Sequence, residues 1–159
     1  MDRRIERDGS RGYRLRLPLQ ERDVLRGLPA QLRELLRTSD PSVERLFPPA
    51  YDDVEADDEY SELVHGELLD GKLAAIEVVE QTVDADYLTG EQLEAWLGAL
   101  ESLRLVLGTR LNVSEATYEQ DLDPSDPRAP ALALYSYLSW LQEQAVEALA
   151  AGLPRGGEA

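Results

Sequence analysis

Two segments in the C-terminal half of the chain carry the clearest periodicity. Leu93, Trp96, Leu97, Leu100, Leu103, Leu107 and Leu111 recur at three- and four-residue steps. Leu134, Tyr135, Leu138, Leu141, Ala145, Val146 and Leu149 do the same. Such spacing places each set on one side of a helix, so helices are predicted over Leu93 to Leu111 and Ala131 to Leu149. Upstream, Val24, Leu25, Leu28, Leu32, Leu35 and Leu36 share a face of a helical pattern from Leu19 to Arg37. Gly27 and Pro29 interrupt it, and proline removes a backbone donor, so a kink or two short helices are expected there. A further helix running to about Val83 is predicted from Tyr60, Leu63, Val64, Leu68, Leu73, Ile76 and Val79, behind an acidic lead-in at residues 50–59. Gly66 and Gly71 within it either weaken the helix or let another helix approach closely.

Local signals punctuate these elements. Tyr13, Leu15 and Leu17 alternate with Arg14 and Arg16 until Pro18, the pattern of a short half-buried strand; Asp84 to Leu88 is the candidate partner. Ser39 or Asp40 is placed to cap a short helix through Leu46, which Pro48-Pro49 stops. Thr89-Gly90-Glu91-Gln92 is a capping box at the start of the Leu93 helix. Asn112 is a candidate cap at its end. Residues 113–130, with Asp121, Asp123, Pro124, Asp126, Pro127 and Pro130, read as an exposed loop. The expected fold is all-α: a single-domain helical bundle with three long helices, shorter N-terminal ones, and at most a small two-stranded β piece. Residues 1–12 are expected to be a flexible basic arm, residues 13–150 the helical domain, and residues 151–159 a disordered tail.

A length of 159 residues suits one domain with its own core. The sequence has no cysteine, which excludes disulfides, thiolate metal sites and thiol redox chemistry within it. No apolar run follows the first charged residues, so no signal peptide is read. No stretch reaches the roughly 18–20 apolar residues of a membrane span. The net charge of −16 is unevenly spread: residues 1–45 hold 11 basic and 8 acidic side chains, residues 46–159 hold 5 and 24. Most of the surface should therefore repel phosphate backbones and anionic membranes.

Chemistry-bearing residues are sparse. His65 is the only histidine, with Glu62 three residues earlier, whereas a zinc site wants three or four strong ligands. There is no G-x-S-x-G elbow, Walker A or G-x-G-x-x-G. The run Asp52, Asp53, Glu55, Asp57, Asp58, Glu59 lacks the calcium-loop ladder and suits a helix N-terminus instead. Arg104 is placed to pair with Glu101 or with an acid on the last helix. No catalytic, cofactor-binding or metal-ligating residue is assigned. The candidate partner contacts are the basic concentration of Arg3, Arg4, Arg7, Arg14 and Arg16, together with Tyr137 and Trp140, which lie on a different side of the last helix from Tyr135. A plainer explanation of the arginines is that they neutralise the protein's own acidic body.

Trp96 to Leu111, with its Leu103-Arg104-Leu105-Val106-Leu107-Gly108-Thr109-Arg110-Leu111 run, resembles the "W, then LRLxLGTxL" helix of an actinobacterial family of unknown function, the AosR-type oxidative-stress transcriptional regulators. Tyr137-Leu138-Ser139-Trp140-Leu141-Gln142-Glu143 lies in a segment that resembles that family's "Y-x-WL-xxLQE" helix. The likeness covers about residues 13–150 and rests on packing motifs. It implies an all-α cytoplasmic protein that regulates through the transcription machinery, with a sigma factor or RNA polymerase as partner, and it implies no catalytic residue. The expectation is a non-enzymatic regulator acting by protein–protein contact, without thiol sensing; a homodimer is compatible with it. The alternative is a DNA-binding regulator using the arginine arm. A metal-dependent hydrolase centred on His65 ranks third.

Overall fold

Alternation at Tyr13 to Leu17 predicts one short strand, and the computed structural model builds a small sheet around it. The structure describes residues 3–9, 12–38, 40–47, 57–111 and 125–151. Strands β1 (Ile5–Arg7), β2 (Tyr13–Leu15) and β3 (Tyr87–Leu88) form an antiparallel sheet in that order. Ile5 pairs with Leu15, and Tyr13 with Leu88, so these four side chains share the inner face and are buried. Glu6, Arg14 and Tyr87 line up across the outer face. The expected partner for β2 at Asp84 to Leu88 is found.

The sheet has a third strand, not two, and that strand lies in the segment expected to be a flexible arm. Ile5 is the only apolar residue of Arg3 to Asp8, so periodicity gives no warning. The turn into β2 closes with Asp8 N–H donating to Gly12 O at 2.8 Å. It needs glycine: Gly9 and Gly12 have φ of 51° and 98°. At Gly12 a Cβ would lie 2.5 Å from the Leu88 carbonyl oxygen, so β2 and β3 can approach only without one.

Helices α1 (Leu19–Arg37), α2 (Asp57–Thr82), α3 (Gly90–Leu111) and α4 (Ala129–Ala151) supply the rest, with a 3-10 helix at Pro41–Leu46. Pro29 does not split α1, which runs unbroken with Leu25, Pro29, Leu32 and Leu36 as its buried line. The 3-10 helix is capped by Asp40, whose carboxylate accepts from Ser42 N–H at 2.9 Å and Ser42 Oγ at 2.6 Å. The capping box holds in both directions: Gln92 N–H donates to Thr89 Oγ1 at 3.1 Å, and Thr89 N–H to Gln92 Oε1 at 2.9 Å. α4 starts two residues before the expected Ala131, with Pro130 in its first turn, where the missing donor has no intrahelical role. The acidic lead-in at 50–56, Asn112, the loop at 113–124 and the tail at 152–159 lie outside the described residues.

α3 is central. It packs against α2, α4 and the 3-10 helix. Its exposed positions are Glu91, Glu94, Glu101 and Arg110. Leu93, Trp96 and Leu100 are fully buried, and Trp96 Nε1 donates to the buried Thr82 hydroxyl at 2.7 Å. One core cluster joins the sheet to α3 and α4 through Ile5, Leu15, Leu93, Trp96 and Leu141. A second joins α1, the 3-10 helix, α2 and α3 through Leu32, Leu36, Val43, Ile76 and Val106.

Four expected core positions are exposed: Val24, Leu63, Leu68 and Val146. The buried face of α4 follows Leu138, Leu141, Ala145 and Ala148, which leaves Val146 about 100° off it. Gly66 and Gly71 admit no neighbouring helix; a Cβ at either would meet nothing within 4 Å. Gly108 is the close approach, with the Tyr135 ring 2.9 Å from where its Cβ would stand.

Candidate interaction surface

Arg4, Tyr137 and Trp140 come from opposite ends of the chain and meet at one place. β1 lies across the C-terminal half of α4. The side-chain carbonyl of Gln144 accepts from Arg4 N–H at 2.7 Å and Ile5 N–H at 3.3 Å, which explains a buried glutamine in an apolar face. Arg4 Nε and Nη2 then donate to the Glu21 carboxylate of α1 at 2.9–3.1 Å. The Arg4 guanidinium carbon lies 5.4 Å from the centre of the Trp140 ring, within cation–π range. Tyr137 Oη donates to Glu21 Oε1 at 2.7 Å. Burial, reinforced by the hydrogen bond to Glu21 and then by the Glu21 charge, pushes the Tyr137 hydroxyl pKa far up, so it stays a donor.

The remaining arginines of the expected contact set are also engaged with the protein itself. Arg3 pairs with Glu147 at 2.8 Å. Arg7 Nη1 donates to the Ala151 carbonyl at 2.9 Å, where the end of α4 leaves acceptors without helical partners. Arg14 donates to Tyr87 Oη at 2.6 Å and lies over its ring, with Asp8 at 3.8 Å. Arg16 faces Glu6 at 3.5 Å. The structure thus brings Arg4, Tyr137 and Trp140 together, sets Arg3 and Arg7 along α4, and turns Arg14 and Arg16 to the outer face of the sheet.

Arg22 stands outside the expected contact set, yet it is bonded to four backbone carbonyls. Its guanidinium donates to the carbonyls of Leu15, Leu17, Val83 and Ala85 at 2.9–3.3 Å, tying β2 and α1 to the end of α2. Only its position between Pro18 and the first apolar residues of α1 could have drawn attention to it. Arg104 departs from expectation in the other direction. It forms no ion pair with Glu101 or with an acid on α4 among the described residues, and its Nε is buried without a hydrogen-bond partner.

His65 is exposed on α2 and stacks on Phe47, with ring centres 4.0 Å apart. The Glu62 side chain lies outside the described residues. No group of three His, Asp or Glu side chains converges among the described residues as a metal site would require. A groove of about 110 Å³ runs between α1, α3 and α4, walled by leucines such as Leu28, Leu103 and Leu134, with Gln31 and Arg110 at its edge. No helix among the described residues is long and apolar enough to cross a membrane.

A family described as "Domain of unknown function (DUF2017)" matches residues 2–149. Proteins of Mycobacterium bovis and Mycobacterium tuberculosis, each named "Oxidative stress regulator AosR", are 30% identical over 128 residues. The match covers 69% of this chain and 58% of each relative, so the chain spans little over half the length of those proteins. No solved structure matches.

Proposed function

The chain belongs to the DUF2017 family, and from that premise we propose that it is a non-enzymatic regulatory protein that acts by contact with the transcription machinery in the cytoplasm. The observation that carries this is the likeness to two mycobacterial proteins named as oxidative stress regulators. The arrangement of charge supports contact with protein over contact with DNA. Arg3, Arg4, Arg14 and Arg16 face the protein's own Glu147, Glu21, Asp8 and Glu6, and the rest of the surface is rich in carboxylates. With no cysteine in its sequence, this chain does not sense oxidants through a thiol of its own; the signal reaches it through its partner or through its abundance.

The test is a pull-down with purified RNA polymerase core, holoenzyme and free sigma factors. Stoichiometric recovery of one of them is expected. Recovery of none, across the salt range in which acidic proteins bind basic ones, overturns the proposal.

A further inference from the structure

We propose that the trench between α2 and α3 is the docking site for a basic amphipathic helix of a protein partner. The inference rests on the contact-regulator reading and adds to it the surface and the chemistry of what binds there.

The trench has a volume of about 260 Å³, and Gly71, Ala75, Gly98 and Ala99 line it. Glycine inside a helix weakens it, so a helical glycine normally answers to a neighbour that needs the space. Here no neighbour does: a Cβ at Gly71 or Gly98 would meet nothing within 4 Å. The cost to the two helices leaves an open channel along their seam. Leu68 stands in its wall, 37% exposed.

Ser102 also lines the trench, at 3% exposure. Buried hydroxyls are almost always hydrogen-bonded. Other helical hydroxyls in this protein bond back to the preceding turn, Thr109 to Leu105 O and Ser139 to Tyr135 O. The Ser102 hydroxyl makes no hydrogen bond among the described residues and is not sealed off from the trench. It is a donor and acceptor held ready at the base of the channel.

The rim is acidic. Glu67 stands on α2 and Glu101 on α3. Glu91, Glu94, Gly98 and Glu101 follow at steps of three and four residues, so the carboxylates continue along the same side of α3. All four acids are exposed, and none takes part in an ion pair or hydrogen bond among the described residues. Lys72 is the one cation at the trench. Four carboxylates without a cationic partner among the described residues, set around an uncovered apolar channel, define the complement. It is a helix with small or short apolar side chains on its contact face, lysine or arginine on both flanks, and a polar group able to meet Ser102.

The probe is a synthetic 20-residue helical peptide of that pattern, titrated into the isotopically labelled full chain at physiological salt. A peptide of the same composition in scrambled order is the control. Resonances of Gly71, Gly98 and Ser102 should shift with the patterned peptide. Affinity should fall tenfold or more in Gly98→Leu and in the double variant Glu67→Lys/Glu101→Lys. Gly98→Leu fills open space, so a melting temperature at or above that of the parent will show that the fold is kept. Equal binding of the scrambled peptide, shifts confined to other surfaces, or undiminished binding to folded Gly98→Leu overturns the trench. Capture of RNA polymerase that persists in Gly98→Leu also removes the trench while leaving the regulatory reading in place. Trench binding without any such capture upholds the site and removes the named partner.

Discussion

Arg4 and Glu21 form a two-point ion pair that links β1 to α1, with both side chains about four-fifths buried. A lone surface pair contributes little, roughly 0–1 kcal/mol, but this one is shielded, accepts a third bond from Tyr137, and rests on Trp140. Arg4→Ala should cost about 2 kcal/mol in urea unfolding and raise hydrogen exchange at Ile5 and Arg7. Arg4→Lys keeps the charge, loses the fork and the flat face, and should recover less than half of the loss. No change in either measurement would show that the β2 ladder and the backbone bonds to Gln144 hold β1 without help from the ion pair.

Gly12 and Gly9 offer a matched comparison. Gly12→Ala combines a strained φ with a clash against the Leu88 carbonyl and should cost at least about 2 kcal/mol. Gly9→Ala carries strain in open space and should cost about 1 kcal/mol. Thermal melts of the two variants should fall in that order.

Trp96→Phe removes the indole donor and leaves a gap beside Thr82, whose own hydroxyl still donates to Val78 O at 2.6 Å. The expected loss is about 2–3 kcal/mol. Since Trp140 remains as the sole indole, the variant's fluorescence would then report only on the Arg4 cluster.

Gly108→Ala should change sign with its background. Alone, the new methyl meets the Tyr135 ring, and overpacking at about 1–3 kcal/mol exceeds the roughly 1 kcal/mol gained in helix propensity. In a Tyr135→Ala background the clash is gone and the same substitution should stabilise. A double-mutant cycle measures the coupling; two effects of equal sign and size would refute the contact.

Acid should loosen the corner around Asp40. The Ser42 hydroxyl and amide, helped by the charge of Arg110, hold the Asp40 carboxyl below its ordinary pKa, against a smaller opposing effect of burial. A lowered folded-state pKa stabilises the fold above the unfolded value, and that contribution is lost as pH falls through the folded one. Glu80, lowered by its bond from Arg33, and Asp126, lowered by Arg128, act in the same direction. Melting temperature should therefore decline on acidification below about pH 4, and Asp40→Asn should make that decline shallower. An unchanged slope would mean that the cap does not titrate within the folded protein.

The helices were legible because their signals are local. A capping box spans four residues, and apolar stripes repeat within every turn, so α1, α3 and α4 appear close to their expected bounds. β2 and its partner could be found because three alternating apolar residues bounded by proline are a strand signal. β1 could not: Ile5 is flanked by charges, and what makes it a strand is the edge of β2 on one side and the Gln144 amide on the other. The same distance effect hid the fate of the arginines, since their carboxylates come from elsewhere in the chain. Burial on α3 was underestimated because a central helix is covered on several faces, so Ala99, Ser102 and Val106 are buried outside the leucine stripe. The trench had only a faint trace in the sequence, as helix-interior glycines without an assigned neighbour.

Arg4 and Gln144 are 140 positions apart. Synthesis runs from the N-terminal end, so the β1–β2 hairpin leaves the ribosome on the order of ten seconds before the helix it sits on, at about 5–20 residues per second. During that interval the hairpin has no seat on α4, Glu21 has no tyrosine, and the Ile5 side chain lacks the part of its cover that α4 supplies. The fold closes with its last helix, and a nascent chain stalled before Gln144 presents its first strand to whatever chaperone is near.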